Sequence, residues 1–407
     1  MSDVKIQPTA DCPMTGLRGM SGINSCIFGS PKVQMETIPV LNNCKPKVML
    51  TTGACTVQNY TDSKAGKKGE FHHTLGFVVV EIKDNETFFV RQVTADENGD
   101  FIDLYNEVNF EGELKEVNFK TTTEKISWIE ANFGTKPTQW IGKSKVNRIK
   151  EIEACILGDI HYGNEDKNVL NKTFELLNKL NPKHVVLHDI FDGSSISHHD
   201  IKDPFTQYRK EVRNTNSVKK EIDYMLDQLS KFEKYNNIVI VRSNHDDFLD
   251  RWLKNEDWKK QPTTKNSIEY MKFSQMLLEQ YAEANSLADI KGIIPTLINE
   301  KFPNFITLKA NDSYIVKGWE LAQHGHIGAH GSKGSLNQFK NLNTKVIVGH
   351  SHTPGRKDGA ISVGTSTQLR IGYNLGPSAW LQSHVIIHKN GKAQHINFID
   401  GDFTTMK

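Results

Sequence analysis

Five short stretches of the sequence concentrate hard oxygen and imidazole donors: Gly158-Asp159-Ile160-His161, Asp189-Ile190-Phe191-Asp192, Ser243-Asn244-His245-Asp246, His324-Gly325-His326 and Gly349-His350-Ser351-His352. An Asp-x-His pair at the end of a strand exposes a carboxylate and an imidazole on the same side, because side chains repeat every second residue. Mixed carboxylate, amide and imidazole donors suit divalent Mn, Fe, Zn or Ni rather than a thiolate zinc site. A carboxylate such as Asp189 can bridge two cations, which two-metal sites hold about 3.5–4 Å apart. Cations so placed lower the pKa of a shared water and stabilise the charge that develops on a phosphoryl group. The chemistry is metal-assisted phosphoester hydrolysis. Apart, each stretch says little, since one strand-end histidine is more often structural or solvated than a ligand. Their joint occurrence carries the reading.

Such donors need a scaffold, and the flanking sequence supplies one. Apolar runs lead into the stretches in EACILGDI, HVVLHDIF, NIVIVRSNHD, ELAQHG and TKVIVGH, with helical periodicity between the first three at Lys167–Leu180 and at roughly 216–235, and again at roughly 267–284. Strand–helix alternation giving way to strands predicts an α/β layered fold with an antiparallel end. Ligands of such sheets gather outside the carboxyl ends of the strands. In SHVIIHKNGKAQHINFI, Asn390-Gly391 between alternating runs predicts a hairpin closed by a type I′ turn. Upstream, VMLTTGA, HTLGFVVVEI and ETFFVRQVTA read as strands between turn signals. A helical stretch near Thr123–Phe133 and the polar, basic GKSKVNRIK follow them. The first twenty or so residues, with Pro8, Pro13, Gly16 and Gly19, read as irregular. A boundary is expected near Lys150, with a β-rich domain over 1–150 and the catalytic domain over 151–407.

Composition narrows the classes. A chain of 407 residues with 37% hydrophobic and 24% charged residues is neither disordered nor collagen-like, and its length predicts two domains. The 50 basic and 48 acidic residues leave a net charge of +2, which excludes a globally polybasic binder but not a local basic groove. No run approaches the roughly 20 apolar residues of a membrane span, and no secretory signal opens the chain, so no membrane partner is expected. Five widely spaced cysteines without a CxxC pair suggest neither a disulfide framework nor a zinc finger, and a reducing cytoplasm is the expected setting.

In order and spacing, the five stretches resemble the signature of the calcineurin-like metallophosphoesterases: D-x-H, G-D-x-x-D, G-N-H-[DE], H, then G-H-x-H. The resemblance covers about Glu151–Ile399, roughly three-fifths of the chain. It implies a four-layer αββα sandwich, here preceded by the β-rich N-terminal domain. It also implies Asp159, His161 and His352 as ligands of one metal, Asn244, His324 and His350 as ligands of the other, and Asp189 as the bridge. His245 corresponds to the family's non-ligand histidine, which stabilises or protonates the leaving oxygen. Asp192 corresponds to the carboxylate that orients that histidine and favours its imidazolium. His188 and Ser243 stand where the family has glycines; neither position supplies a ligand, and His188 is expected to pack. Gly193 follows Asp192 where the family's protein phosphatases place a phosphate-binding arginine, which counts against a phosphoprotein substrate. His326 is open to two readings, substrate contact or a supporting or structural role, and His198-His199-Asp200 is expected as a solvated loop.

Within that family the chain is similar to DNA-repair exonucleases of the SbcD type and to phage-encoded DNases, a likeness that extends to GTSTQLRIGYNLGPSAW. This implies a DNase using two divalent metal ions, Mn foremost with Fe, Zn or Ni also compatible. It implies nucleic acid as the partner, DNA before RNA, and admits a homo-oligomer. SbcD enzymes place the catalytic domain first, so their coiled-coil ATPase partner does not carry over. Three stretches mix basic and aromatic residues in a way that suits phosphates and bases. The first holds Phe205, Tyr208, Arg209, Lys210 and Arg213, then Lys219 and Lys220; the second is a loop with Lys64, Lys67 and Lys68; the third holds Trp252, Lys254, Trp258, Lys259 and Lys260. The competing readings are a phosphodiesterase or phosphatase acting on small nucleotides and, from another class, a non-catalytic scaffold.

Overall fold

Two sheets face each other, and the period-2 alternation of their strands explains why. The computed structural model describes residues 4–116, 119–131, 138–372 and 374–406. Strands β1 (Cys26–Phe28), β2 (Gln34–Ile38) and β3 (Lys47–Thr51) come first. Helix α1 (Lys64–His72) leads to the hairpin β4 (Gly76–Ile82) and β5 (Phe88–Thr94). An antiparallel sheet of β6 (Phe101–Asp103), β7 (Asn106–Glu116) and β8 (Thr138–Arg148) follows, with α2 (Thr122–Ala131) between its last two strands in the chain. GKSKVNRIK therefore forms most of a strand. The last two residues of the helix expected near Thr123–Phe133 lie outside the described residues, as does Tyr373 of the GTSTQLRIGYNLGPSAW run.

The second part of the chain opens with the expected alternation: β9 (Ile152–Ile156), α3 (Lys167–Leu180), β10 (Pro182–His188), α4 (Pro204–Val212), α5 (Val218–Leu229) and β11 (Ile238–Val241). Helices α6 (Asp246–Asn255), α7 (Ser267–Glu283) and α8 (Ile293–Lys301) precede β12 (Ile306–Thr307). Then come β13 (Ile315–Val316), β14 (Trp319–Glu320), α9 (Leu336–Phe339), β15 (Lys345–Val348), β16 (Gly355–Lys357), β17 (Ala360–Ser362), β18 (Ser383–Ile387) and β19 (Ala393–Asn397).

One sheet has the order β12-β11-β10-β9-β18-β19, its first four strands parallel and its last two antiparallel. Along β9–β11, Cys155, Val185, Leu187, Ile238 and Ile240 pack into the layer of α3, α5, α6 and α8. The alternate residues Ala154, Ile156, Val186, Val239 and Val241 pack against Trp319, Leu321, Ile347, Ile361 and Val363 of the facing sheet. Both faces are buried, so these strands read as continuous apolar runs. Helix α3 shows the complementary pattern. It starts at Asp166, whose carboxylate accepts from the Asn168 and Val169 amides, and buries Val169, Leu170, Thr173, Leu176, Leu177 and Leu180 on one stripe. Over the outer face of the second sheet the helical layer thins to the four-residue α9, which contributes Phe339 and Leu336 to the apolar cluster on that face.

That second sheet has the order β1-β3-β2-β16-β17-β15-β14-β13. Three of its strands come from the first 51 residues and the other five lie beyond residue 310, joined where β2 pairs antiparallel to β16 at Glu36–Gly355. The boundary expected near Lys150 thus divides a chain whose two ends share one sheet. An edge strand needs backbone partners, and sequence distance does not limit where they come from. The irregular opening segment also belongs here: Met14 is fully buried with Phe28 and Met49.

The hairpin at Asn390-Gly391 forms, with a different turn. Only Gly391 takes a positive φ (+76°) and its N–H donates to His388 O at 2.9 Å, so a type I turn is followed by a left-handed glycine. Type I′ would need Asn390 at positive φ as well.

Candidate metal centre

Each donor stretch sits where a strand ends. Asp159 and His161 follow β9, Asp189 follows β10 directly, and Asn244 and His245 fill the turn from β11 into α6; His324 follows β14, and His350 and His352 follow β15. Backbone bonds brace these loops against one another. His161 N–H donates to Asp189 O, and Gly349 N–H to His324 O, both at 2.7 Å. Thr365 Oγ1 and Ser366 N–H donate to Asp159 O at 2.9 and 2.7 Å, so the GTST segment clamps that aspartate's backbone.

The side chains converge accordingly. Asp159, His161, Asp189 and His352 are all buried, and their ligand atoms lie within 4.8 Å of one another. His352 Nε2 is 3.2 Å from Asp159 Oδ2 and packs edge-on against Trp380. Asp189 Oδ2 stands 3.3 Å from His161 Nε2 and 3.3 Å from His324 Nε2. One carboxylate oxygen thus lies equally close to a histidine expected at each metal, which is the placement a bridging ligand needs. The His350 ring is 5.4 Å from that of His324. Side-chain oxygens of Asp159, Asp189 (Oδ1) and Asn244 are buried without a hydrogen-bond donor among the described residues. Buried carboxylates and amides left so are costly unless cations meet them. By donor type and by these orphaned oxygens, the residues fit a divalent-metal site.

Electrostatics follow the same geometry. Burial opposes charge on Asp189, yet the adjoining His245, His161 and His324 rings overcome it and hold the carboxyl well below the usual carboxylate range. Burial likewise opposes charge on His161, and Asp189 and Asp192 outweigh it, raising that imidazole. His350 is pushed down to about 4 by burial and then by His324.

Local conformation here is strained. His161, Asp189, His350 and His352 have φ of +48°, +48°, +69° and +54°. Residues with a Cβ are disfavoured there, at a cost on the order of 1–3 kcal/mol each, and such outliers concentrate at functional sites. Gly349 has a different constraint: a Cβ at this position would collide with Asp159 Oδ1 and touch the His188 ring. The glycine of the G-H-x-H stretch is a point of close approach. Ser243, in place of the family's glycine, closes a reciprocal pair with Asp246. Ser243 N–H donates to Asp246 Oδ2 at 2.9 Å, and Asp246 N–H to Ser243 Oγ at 3.1 Å. This reciprocal pair holds Asn244 and His245 between its two members just before α6.

The role expected of Asp192 divides in two. His245 Nδ1 donates to the backbone oxygen of Asp192 at 2.6 Å, and the carboxylate instead lies 3.2 Å from His161 Nδ1. The reason is that His161 already occupies the side-chain face of Asp192, leaving its carbonyl for His245. A carboxylate on Nδ1 fixes which nitrogen of His161 faces a metal. His245 itself is held below its ordinary value by burial, against the pull of Asp189, so a standing imidazolium is not what this environment favours.

His188 is the residue that sequence reading undervalued. It is fully buried as expected, but its Nδ1 is 3.3 Å from His324 Nδ1, and it joins Asp159 and His324 in a second potential metal-binding group. Burial and then His324 push it down to about 4, so it stands neutral and able to accept a proton donor. A histidine directly before the bridging aspartate was the available signal. His326 lies 5.4 Å from His324 and 6.0 Å from His350 by ring centres, beside the ligands. Glu221 on α5 had no signal in the sequence; its carboxylate accepts from the Ser194 and Ser195 amides at 2.8 and 3.1 Å and braces the loop after Asp192. His198-His199-Asp200 contributes to none of the metal-binding groups among the described residues.

The calcineurin-like phosphoesterase family matches residues 154–354. The chain is also 28% identical over 411 residues to Protein A1 of Escherichia phage T5, an alignment spanning 99% of this chain and 68% of that protein. No solved structure matches significantly.

Proposed function

With residues 154–354 a calcineurin-like phosphoesterase domain, we propose that this protein cleaves phosphodiester bonds in nucleic acid, DNA before RNA, using two divalent cations, Mn²⁺ foremost. Such cations would supply a bound water of lowered pKa and Lewis-acid stabilisation of the phosphoryl oxygens. Asp159, His161 and His352 would hold one, Asn244, His324 and His350 the other, with Asp189 between them. His245, tied through Nδ1 to the Asp192 carbonyl, keeps Nε2 available to exchange a proton with the leaving oxygen. All five cysteines are free, as a reducing cytoplasm would leave them. Among the described residues no helix is long and apolar enough to cross a membrane.

The observation that favours a polymer over a small nucleotide is helix α4. Phe205 and Tyr208 are 84% and 72% exposed, with Arg209 and Arg213 exposed beside them, while Lys210 turns inward to Asp200 at 2.9 Å. A helix that buries a lysine and presents two aromatics with arginines offers stacking surfaces and phosphate contacts together. The other basic stretches support this less. Lys64, Lys67 and Lys68 lie on α1 instead of in a loop, and the last two pair with Asp62 and Asp11. Trp252 belongs to the core.

The test is hydrolysis with Mn²⁺ of linear duplex, circular duplex and single-stranded DNA beside bis-p-nitrophenyl phosphate, with EDTA and Asp189→Ala as controls. Degraded DNA that both controls protect is the expected result, and the circular substrate separates endonuclease from exonuclease action. Hydrolysis of the small diester with intact DNA would move the substrate to nucleotide scale. His245→Ala should retain bound metal and lose turnover by about 10²-fold or more.

A further inference from the structure

The loop before α4 places two histidines close to His245 without offering them to the metal centre. Phe248 stacks on the His245 ring, with centroids 4.4 Å apart and planes at 27°. On Phe248 in turn sits His198, edge-on with centroids 4.9 Å apart, and His199 lies 3.9 Å from His198. Arg251, one turn beyond Phe248 on α6, brings its guanidinium to 5.7 Å from the Phe248 ring centre and its Nη1 to 3.1 Å from His198 Nε2. His198, His199 and Arg251 are all exposed.

Neighbouring acids are committed elsewhere. Asp247 and Asp250 lie 2.7 and 3.8 Å from Arg242, and Asp200 pairs with Lys210. Among the described residues Arg251 has no carboxylate within ion-pair distance. A guanidinium has five N–H donors, and one contact to His198 leaves most of them for a ligand. The result is a cation held in place by ring packing and fronted by two imidazoles, two ring-to-ring steps from the histidine at the reacting centre.

We propose that His198, His199 and Arg251 form a subsite for a phosphate neighbouring the scissile one in the same strand. The inference rests on the nucleic-acid reading above and adds a feature to it. Ring steps of 4.4 and 4.9 Å between centroids place the His198 ring within reach of His245, so a strand whose scissile phosphate meets His245 can bring a neighbouring phosphate to the cluster. Arginine suits this task because its planar fork grips phosphate oxygens in pairs. Phe248 acts as the spacer: its ring touches both His245 and His198. A substrate with a single phosphate cannot fill both places.

The experiment compares wild type, Arg251→Ala, Arg251→Lys and the double variant His198→Ala/His199→Ala, with Mn²⁺, on a short single-stranded oligonucleotide and on bis-p-nitrophenyl phosphate. The expected result is a kcat/KM loss on the oligonucleotide at least about tenfold larger than on the small diester, expressed in KM, as the loss of charged hydrogen bonds predicts. The slope of log KM against log salt should become shallower by about 0.7 for each phosphate contact removed, and Arg251→Lys should restore it. Equal losses on both substrates, or no loss on either, would overturn the subsite while leaving the nuclease reading intact. Wild-type protein that hydrolyses the small diester but no oligonucleotide, single-stranded or duplex, would remove the nuclease reading, and the subsite with it.

Discussion

Replacing His188 by alanine tests whether the fully buried ring beside His324 sets the metal centre or merely fills space. For His324 to present Nε2 toward a cation next to Asp189, its proton must sit on Nδ1. The acceptor within reach of that proton is His188 Nδ1, at 3.3 Å. Alanine would leave a buried donor unmet, a penalty of about 1–3 kcal/mol. Loss of an equivalent partner behind a ligand in other metal sites costs about 10- to 100-fold in affinity, the same range in energy. Two assays read it. Calorimetric titration of Mn²⁺ gives Kd directly. In thermal or urea unfolding, Mn²⁺ at 100 times the wild-type Kd should stabilise wild type by about 2.7 kcal/mol, and a variant binding 30-fold more weakly by only about 0.9 kcal/mol. The metal-induced difference is the relevant quantity, because deleting a buried ring destabilises the protein with or without metal. His188→Asn, whose amide oxygen takes nearly the place of Nδ1, should recover most of the affinity. A Kd for the alanine variant within twofold of wild type would refute the argument; so would an asparagine variant as weak as alanine, which would leave packing as the whole effect.

Gly349→Ala should lose metal binding and activity together, because its Cβ has to occupy space held by the Asp159 carboxylate and the His188 ring; metal titration and circular dichroism would separate a displaced ligand from a misfolded chain. Stability should fall with acid through buried histidines that are not among the metal-ligand candidates. His384 is pushed down to about 3, and His388 and His395 to about 4, in each case chiefly by burial. Each is neutral when folded and takes a proton when unfolded below its ordinary value near 6.5. Their contribution is therefore complete above that pH and is lost as pH falls toward 3–4, with His384 alone giving about 2 kcal/mol by pH 5. Urea denaturation in EDTA at pH 7 and 5 measures this. His384→Asn, which can still accept the Gly158 N–H, should flatten the dependence, and an unchanged slope would contradict the assignment.

What the sequence determined by itself was the chemistry and the layers that carry it. Asp159, His161, Asp189, His324 and His352 could be found because strands end where apolar runs stop, and parallel strands all end on the same side of a sheet. Alternation along EACIL and NIVIV, and the apolar stripe of α3, are local consequences of side-chain periodicity, so they could be read without a partner in view.

Tertiary structure decided whatever depended on which groups meet. β2 pairs with β16 across more than 300 residues through backbone N–H and C=O groups, which are alike in every residue and leave no trace in the order of side chains. Asp192 gives its carbonyl to His245 and its carboxylate to His161, a division fixed by which ring reaches it first. His188 meets His324, and His198 meets His245 across Phe248, only because loops from different strands close over one another. Residue types and spacing specify which donors are present; the folded backbone specifies which atom of each donor faces which neighbour.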